Sequence, residues 1–134
     1  PTKQDRAAGD YLINYIAGLD GSVMVFHHGY LAKIAGKETI TAHRMAVEDV
    51  LRGTDEQAKK LLRSSIDAAL QEQRYDHIIF DGSRDNFILV DYYFPELEPN
   101  YIGQGTIFPE TMSEDFWPLG GLDIRPYYHF VPKN

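Results

Sequence analysis

Two short apolar runs that do not alternate with polar residues, Val23–Phe26 and Ile78–Phe80, constrain this chain more than any other feature. A half-exposed strand alternates, so apolar residues at successive positions imply a strand covered on both faces. The residues between the two runs carry helical spacing, and a helix between two buried strands is a βαβ unit. Such units pair their strands in parallel and cross over right-handed. The expected architecture is therefore α/β, with a mostly parallel sheet of about four or five strands flanked by helices in a Rossmann-like layered domain.

The helices announce themselves by stripes and caps. Ala8, Leu12, Ile16 and their neighbours form one stripe from Ala7 to Leu19. Thr2 followed by Asp5 resembles a capping box, and Gly18 is the expected stop. Leu31–Ala35 reads as one or two helical turns ended by Gly36. Arg44–Arg52 reads as a helix with an Arg44/Glu48 pair one turn apart. Thr54 with Gln57 suggests a second capping box, opening a longer helix to about Arg74. Ser83 is placed to cap a helix running to Phe94, which Pro95 and Pro99 end. Short strands are expected at Glu38–Ala42, Tyr101–Ile102 and Ile107–Phe108, a loop over Pro109–Gly121, and a closing strand at Tyr127–Val131.

A chain of 134 residues with 43% hydrophobic content is long enough to bury a single core without staples. The absence of cysteine excludes disulfides, thiolate metal sites and a Cys nucleophile. A net charge of -7 with no long Lys/Arg run speaks against a nucleic-acid surface. No apolar stretch approaches the ~20 residues of a membrane span, and no basic-then-apolar leader is present. Pro1 stands where Met is usual, which fits either removal of an initiator Met or a domain taken from a longer polypeptide.

Ligands of open parallel sheets sit beyond the carboxyl ends of the strands, which directs attention to His27, His28 and Tyr30 after the first run and to Asp81 after the second. With His43 or Asp49 these residues form a candidate pocket suited to acid–base work or to a metal. Neighbouring strand residues point to opposite faces, so His27 and His28 converge only if the strand has already ended. No His-Glu-x-x-His helix or other metal motif is present, and no metal or cofactor is expected. Gly103-Gln104-Gly105 lacks the following helix of a dinucleotide cradle. Gly36-Lys37 lacks the rest of a phosphate loop, and neither Ser22 nor Ser83 sits in a nucleophile elbow. Most aromatic residues belong to the core of so small a domain. Trp117, beside Phe116 and Pro118 in a long loop, is the ring most expected to stand outside it and to meet a glycan or a partner.

Several segments in order resemble the soluble C-terminal domains that follow the transmembrane helices of prokaryotic GT-C type membrane proteins, relatives of the dolichyl-phosphate-mannose protein mannosyltransferases. They are Gly21–Val25 entering His28-Gly29-Tyr30-Leu31, Ala35-Gly36-Lys37, Ala42–Ala46 leading to Asp49-Val50, and Tyr75–Asp81. A tail with Phe116-Trp117-Pro118 and Arg125-Pro126 precedes a Tyr-rich last strand. The resemblance implies a domain on the extracytoplasmic side of a prokaryotic cell membrane, attached to a membrane portion of the same polypeptide. The parent's acidic catalytic residues would lie in loops this chain does not contain, so no catalytic residue carries over.

The leading expectation is thus a non-catalytic accessory domain of a glycosyltransferase-like membrane protein, in contact with carbohydrate or a lipid-linked sugar acceptor. A freestanding small α/β hydrolase or metal-dependent enzyme, built on the His/Asp set at the strand edge, is the first alternative. A protein-binding module using the Phe116–Trp117 loop is the second.

Overall fold

A computed structural model describes residues 1–38, 44–83, 94–118 and 124–134. Helix α1 spans Lys3–Ala17. The Thr2 side chain accepts from the Asp5 amide while Asp5 accepts from the Thr2 amide, the reciprocal box that the sequence predicts. Strand β1 is Val23–Val25 and the short helix α2 is Tyr30–Ile34. Helix α3 is Arg44–Arg52, α4 is Glu56–Gln71, and β2 is His77–Ser83. A single turn α5, Leu97–Asn100, leads into β3, Tyr101–Thr106. A 3-10 turn at Glu110–Met112 precedes β4, Ile124–Pro132. Among the described residues no helix is long and apolar enough to cross a membrane.

Among the described residues four strands lie in the order β1-β2-β4-β3. β1 and β2 pair in parallel, with Met24 opposite Ile78, as expected of strands joined through helices. The other two pairings, β2 with β4 and β4 with β3, are antiparallel, so the sheet is mixed and the mostly parallel, Rossmann-like expectation is corrected. A parallel neighbour requires a crossover of a dozen or more residues, usually helical. Between β3 and β4 the described chain offers only the 3-10 turn, and the strands return antiparallel.

Both faces of the sheet are covered. Ala8, Leu12 and Ile16 of α1 and Leu31 and Ala32 of α2 pack with Val23, Val25 and Ile79 on one face. Val47 and Leu51 of α3 and Leu70 of α4 pack with Met24, Ile78 and Phe80 on the other, joined by Phe94, Leu97, Tyr101 and Phe130. This explains the unalternating runs, since each strand residue finds an apolar partner whichever way it points.

Several finer expectations are revised. The cap of α4 is Asp55, whose carboxylate accepts from the Ala58 amide, and the helix stops at Gln71 instead of near Arg74. Ser83 ends β2, and the helix expected from it to Phe94 lies outside the described residues up to residue 93. The strand expected at Glu38–Ala42 also lies outside them, apart from Glu38, which is in no strand. Tyr101–Ile102 extends into one strand to Thr106, whereas Ile107 and Phe108 follow it as a buried bend. Gly103-Gln104-Gly105 therefore sits in an edge strand. The closing strand is longer than expected at both ends.

Gly21 is fixed by its surroundings. Its φ is +84°, and an added Cβ would fall 2.1 Å from Asp76 Oδ2. That carboxylate accepts from the Ser22 amide at 2.8 Å and ties the start of β1 to the approach of β2.

Candidate functional site

Strand β1 ends at Val25, and the last sheet bond on this side runs from the Phe26 amide to the Ile79 carbonyl. His27 and His28 therefore lie beyond the strand, where the alternation of side chains no longer applies. Both reach Asp81. His28 Nε2 is 2.8 Å from Asp81 Oδ2, and the His28 carbonyl accepts from the Leu31 amide, which fixes the residue in the turn opening α2. His27 Nδ1 accepts from the Asp81 amide at 3.2 Å.

These bonds assign the tautomers. With its Nδ1 lone pair directed at an amide, His27 carries its proton on Nε2, so the 3.8 Å approach of Nδ1 to Asp81 Oδ1 is not an ion pair. Burial pushes the His27 imidazole down to about 4, against a smaller opposing pull from Asp81. His27 is a neutral core residue packed edge-on against Phe26. A carboxylate can only accept, so His28 donates Nε2–H to Asp81, and the Nδ1 lone pair has no partner among the described residues. The Asp81 side chain is 2% exposed and that of His28 33% exposed. Asp81 Oδ1 is buried with no hydrogen-bond partner among the described residues.

Asp81 follows the alternation of β2 and lies beside a bulge in β4. Phe80 pairs with Tyr128 but Asp81 pairs with Pro126, so Tyr127 is an extra residue on β4, and its carbonyl accepts from the Ile107 amide. Ile79 packs on the α1 face of the sheet and Phe80 on the α3 face, and Asp81 meets His28 where α2 begins.

His28 opens on a cleft of about 770 Å³ bounded by the first half of α1, the start of α2, the Phe116–Pro118 loop and the start of β4. Its walls are mostly apolar. Leu31, Phe116, Trp117, Ile124 and Pro126 face it, with Arg6 and the exposed Tyr30 at its side. The Tyr30 ring stands edge-on to His28 at 6.0 Å.

The aromatic wall is held on three sides. Phe116 has a φ of +62°, a conformation costly for a bulky residue, and its amide donates to Asp5 Oδ1 at 3.0 Å. Amide donors from Thr2 and Phe116 hold the Asp5 carboxyl below the usual carboxylate range. The Phe116 ring rests over Gly9, where a Cβ would come within 3.2 Å of it. Trp117 Nε1 donates to the Ser113 carbonyl. Its ring stacks on the Arg125 guanidinium at 4.3 Å, which also covers Phe108 at 4.1 Å and donates to the carbonyls of Met112 and Asp115.

The sequence-predicted residues separate accordingly. His27, His28 and Asp81 converge, Tyr30 lies beside them, and Phe116 and Trp117 form the opposite wall. Asp49 is exposed on α3, where its neighbour Glu48 turns inward and accepts from Arg44 at 2.6 Å. His43 lies outside the described residues. Among the described residues no group of three or more His, Asp or Glu is placed to hold a metal ion.

Sequence reasoning missed the α1 wall, although Gly9 was a signal. An isolated glycine within a helical stripe costs about 1 kcal/mol relative to Ala and usually has a packing reason.

A second polar chain also went unread. Tyr15 Oη lies 2.7 Å from His129 Nδ1, His129 Nε2 lies 2.9 Å from His77 Nδ1, and His77 Nε2 lies 2.9 Å from the Asp20 carbonyl. Since a carbonyl only accepts, His77 donates Nε2–H to Asp20, and the two imidazoles link Tyr15 to that carbonyl. Burial pushes His129 down to about 4. No family model matches this chain, and neither a curated protein nor a solved structure with significant similarity to it was found.

Proposed function

We propose that this domain is a ligand-binding accessory module of a membrane-anchored, glycosyltransferase-like protein, placed on the extracytoplasmic side and taking no part in the glycosyl-transfer step itself. The resemblance in segment order supports the parentage. The observation that carries ligand binding is the cleft with its braced Phe116–Trp117 wall. A largely apolar concavity with a few convergent polar groups is the ordinary form of a small-molecule site. Strain at Phe116, retained because Asp5 and Gly9 brace it, is the kind of backbone cost that clusters at ligand sites. An amphipathic molecule suits it, with an apolar arm on Leu31, Ile124 and Pro126 and a sugar ring against the aromatic side.

Trp117 is the single tryptophan of the chain, so intrinsic fluorescence reports on this wall alone. Octyl glucoside, titrated below its micelle concentration, is expected to shift the emission saturably, more strongly than glucose or octanol alone. Phe116→Ala is expected to weaken the response at least tenfold. A response that rises linearly without saturation, or one that Phe116→Ala leaves intact, defeats the binding reading. Recovery of the native polypeptide from the soluble pool after fractionation defeats the membrane anchorage.

A further inference from the structure

We infer that the His28–Asp81 pair is a general-base site acting in this cleft, and that the domain hydrolyses uncharged carboxylic esters bearing an apolar arm. The inference rests on the cleft being a binding site and goes beyond it by assigning the cleft a reaction. Its basis is the convergence of four features at one place. A fully buried carboxylate fixes the orientation and tautomer of one imidazole through Nε2. That imidazole retains an unpartnered Nδ1 lone pair and lines the cleft. The bulge at Tyr127 sits directly beside the carboxylate. Arg6, exposed and without an ion-pair partner among the described residues, lines the same cleft.

The step needs only water as co-reactant. Nδ1 of His28 takes a proton from water as the water oxygen bonds to the ester carbonyl carbon, and the carbonyl π electrons move onto oxygen. Arg6, exposed in the same cleft, is the side chain assigned to that oxyanion. When the tetrahedral species collapses, the bond to the alcohol oxygen breaks, and the imidazolium returns its proton to the leaving alkoxide. The products are an acid and an alcohol, and the residue is regenerated. Asp81 does not touch the reacting atoms. It is a positioning residue that keeps the proton on Nε2 and stabilises the imidazolium that forms. His27 cannot replace His28, because its Nδ1 is committed to the Asp81 amide and its ring is buried.

The probe is p-nitrophenyl butyrate, with free imidazole at the same concentration as reference. Positioned general-base catalysis contributes roughly 100-fold or more, so the protein is expected to exceed imidazole by at least that factor and to saturate. His28→Gln is expected to fall to the imidazole background. Asp81→Asn is expected to lower kcat more than tenfold at unchanged KM, a split that a purely structural role would not produce. Octyl glucoside is expected to inhibit competitively. Wild-type hydrolysis no faster than imidazole overturns the proposal, as does full activity in His28→Gln. The wild-type comparison decides even if a variant fails to fold. If the fluorescence titration saturates while hydrolysis stays at background, the general base fails and the binding site stands. If neither is seen, both fail.

Discussion

Acidification between pH 7.5 and 5.0 is expected to weaken this fold through His27 and His129. Both are almost fully buried, 6% and 5% exposed, and burial lowers each imidazole from an ordinary value of 6.5 to about 4. The unfolded chain takes up protons as the pH falls through 6.5, and the folded chain refuses them until about 4. Protons thus favour the unfolded state, and the stability present above pH 6.5 is lost on the way down. Between pH 7.5 and 5.0 the linkage is about 2 kcal/mol for each imidazole, or about 4 kcal/mol for the two. With an unfolding entropy of about 0.28 kcal/mol/K for a chain of 134 residues, each contributes a fall in Tm of about 7 °C. Calorimetry or circular dichroism across this range measures it. His129→Gln should lower Tm at pH 7.5 by breaking the chain from Tyr15 to Asp20, yet halve the fall on acidification. His27→Gln with His129→Gln should remove most of the fall. Asp5 and Asp76, whose carboxyls are held low by amide donors, lose their contribution only as the pH drops through the ordinary carboxylate range, below this window. A Tm constant between pH 7.5 and 5.0, or a double variant with the full slope, refutes the assignment of neutral imidazoles.

Two further outcomes test the packing around the site. A Cβ on Gly82 would lie 2.5 Å from Tyr128 Cε2 and 3.0 Å from Tyr127 Cβ, so Gly82→Ala should cost about 1–3 kcal/mol in urea unfolding with an unchanged m-value. Arg125→Lys keeps the charge but loses the planar group between Phe108 and Trp117, and should cost about 2 kcal/mol with a red shift of the Trp117 emission.

What the sequence made legible was whatever depends on neighbours in the chain. The capping box of α1, the limits of α3 and the two doubly covered strands all follow from spacing and side-chain type. The identity of the strand beside β2 did not follow, because it depends on how residues after Ser83 return to the sheet. Nothing in a run such as Tyr127–Val131 states the direction in which it will pair. The inward carboxylate of α3 was legible in a different way. Val47 and Leu51 are buried, and Glu48 shares their stripe on α3. An acidic residue on an apolar stripe with Arg44 one turn earlier was the readable sign of an inward carboxylate.

The site itself lies among three departures from regular structure, each of which a periodicity argument smooths over. Had β1 continued past Val25, His27 and His28 would project to opposite faces and only one could meet Asp81. In β4 the extra residue at Tyr127 lets Asp81 pair with Pro126, and the Tyr127 carbonyl accepts from the Ile107 amide. Had Phe116 kept a negative φ, its amide would leave Asp5 and its ring would leave Gly9, opening the cleft on the side opposite His28. The last two are coupled through contacts of their own. The Tyr127 carbonyl holds Ile107, Ile107 precedes the Phe108 ring under Arg125, and Arg125 carries the Trp117 indole. The bulge beside Asp81 is thereby also tied to the opposite aromatic wall, so the His28–Asp81 pair and that wall border one irregularity in β4.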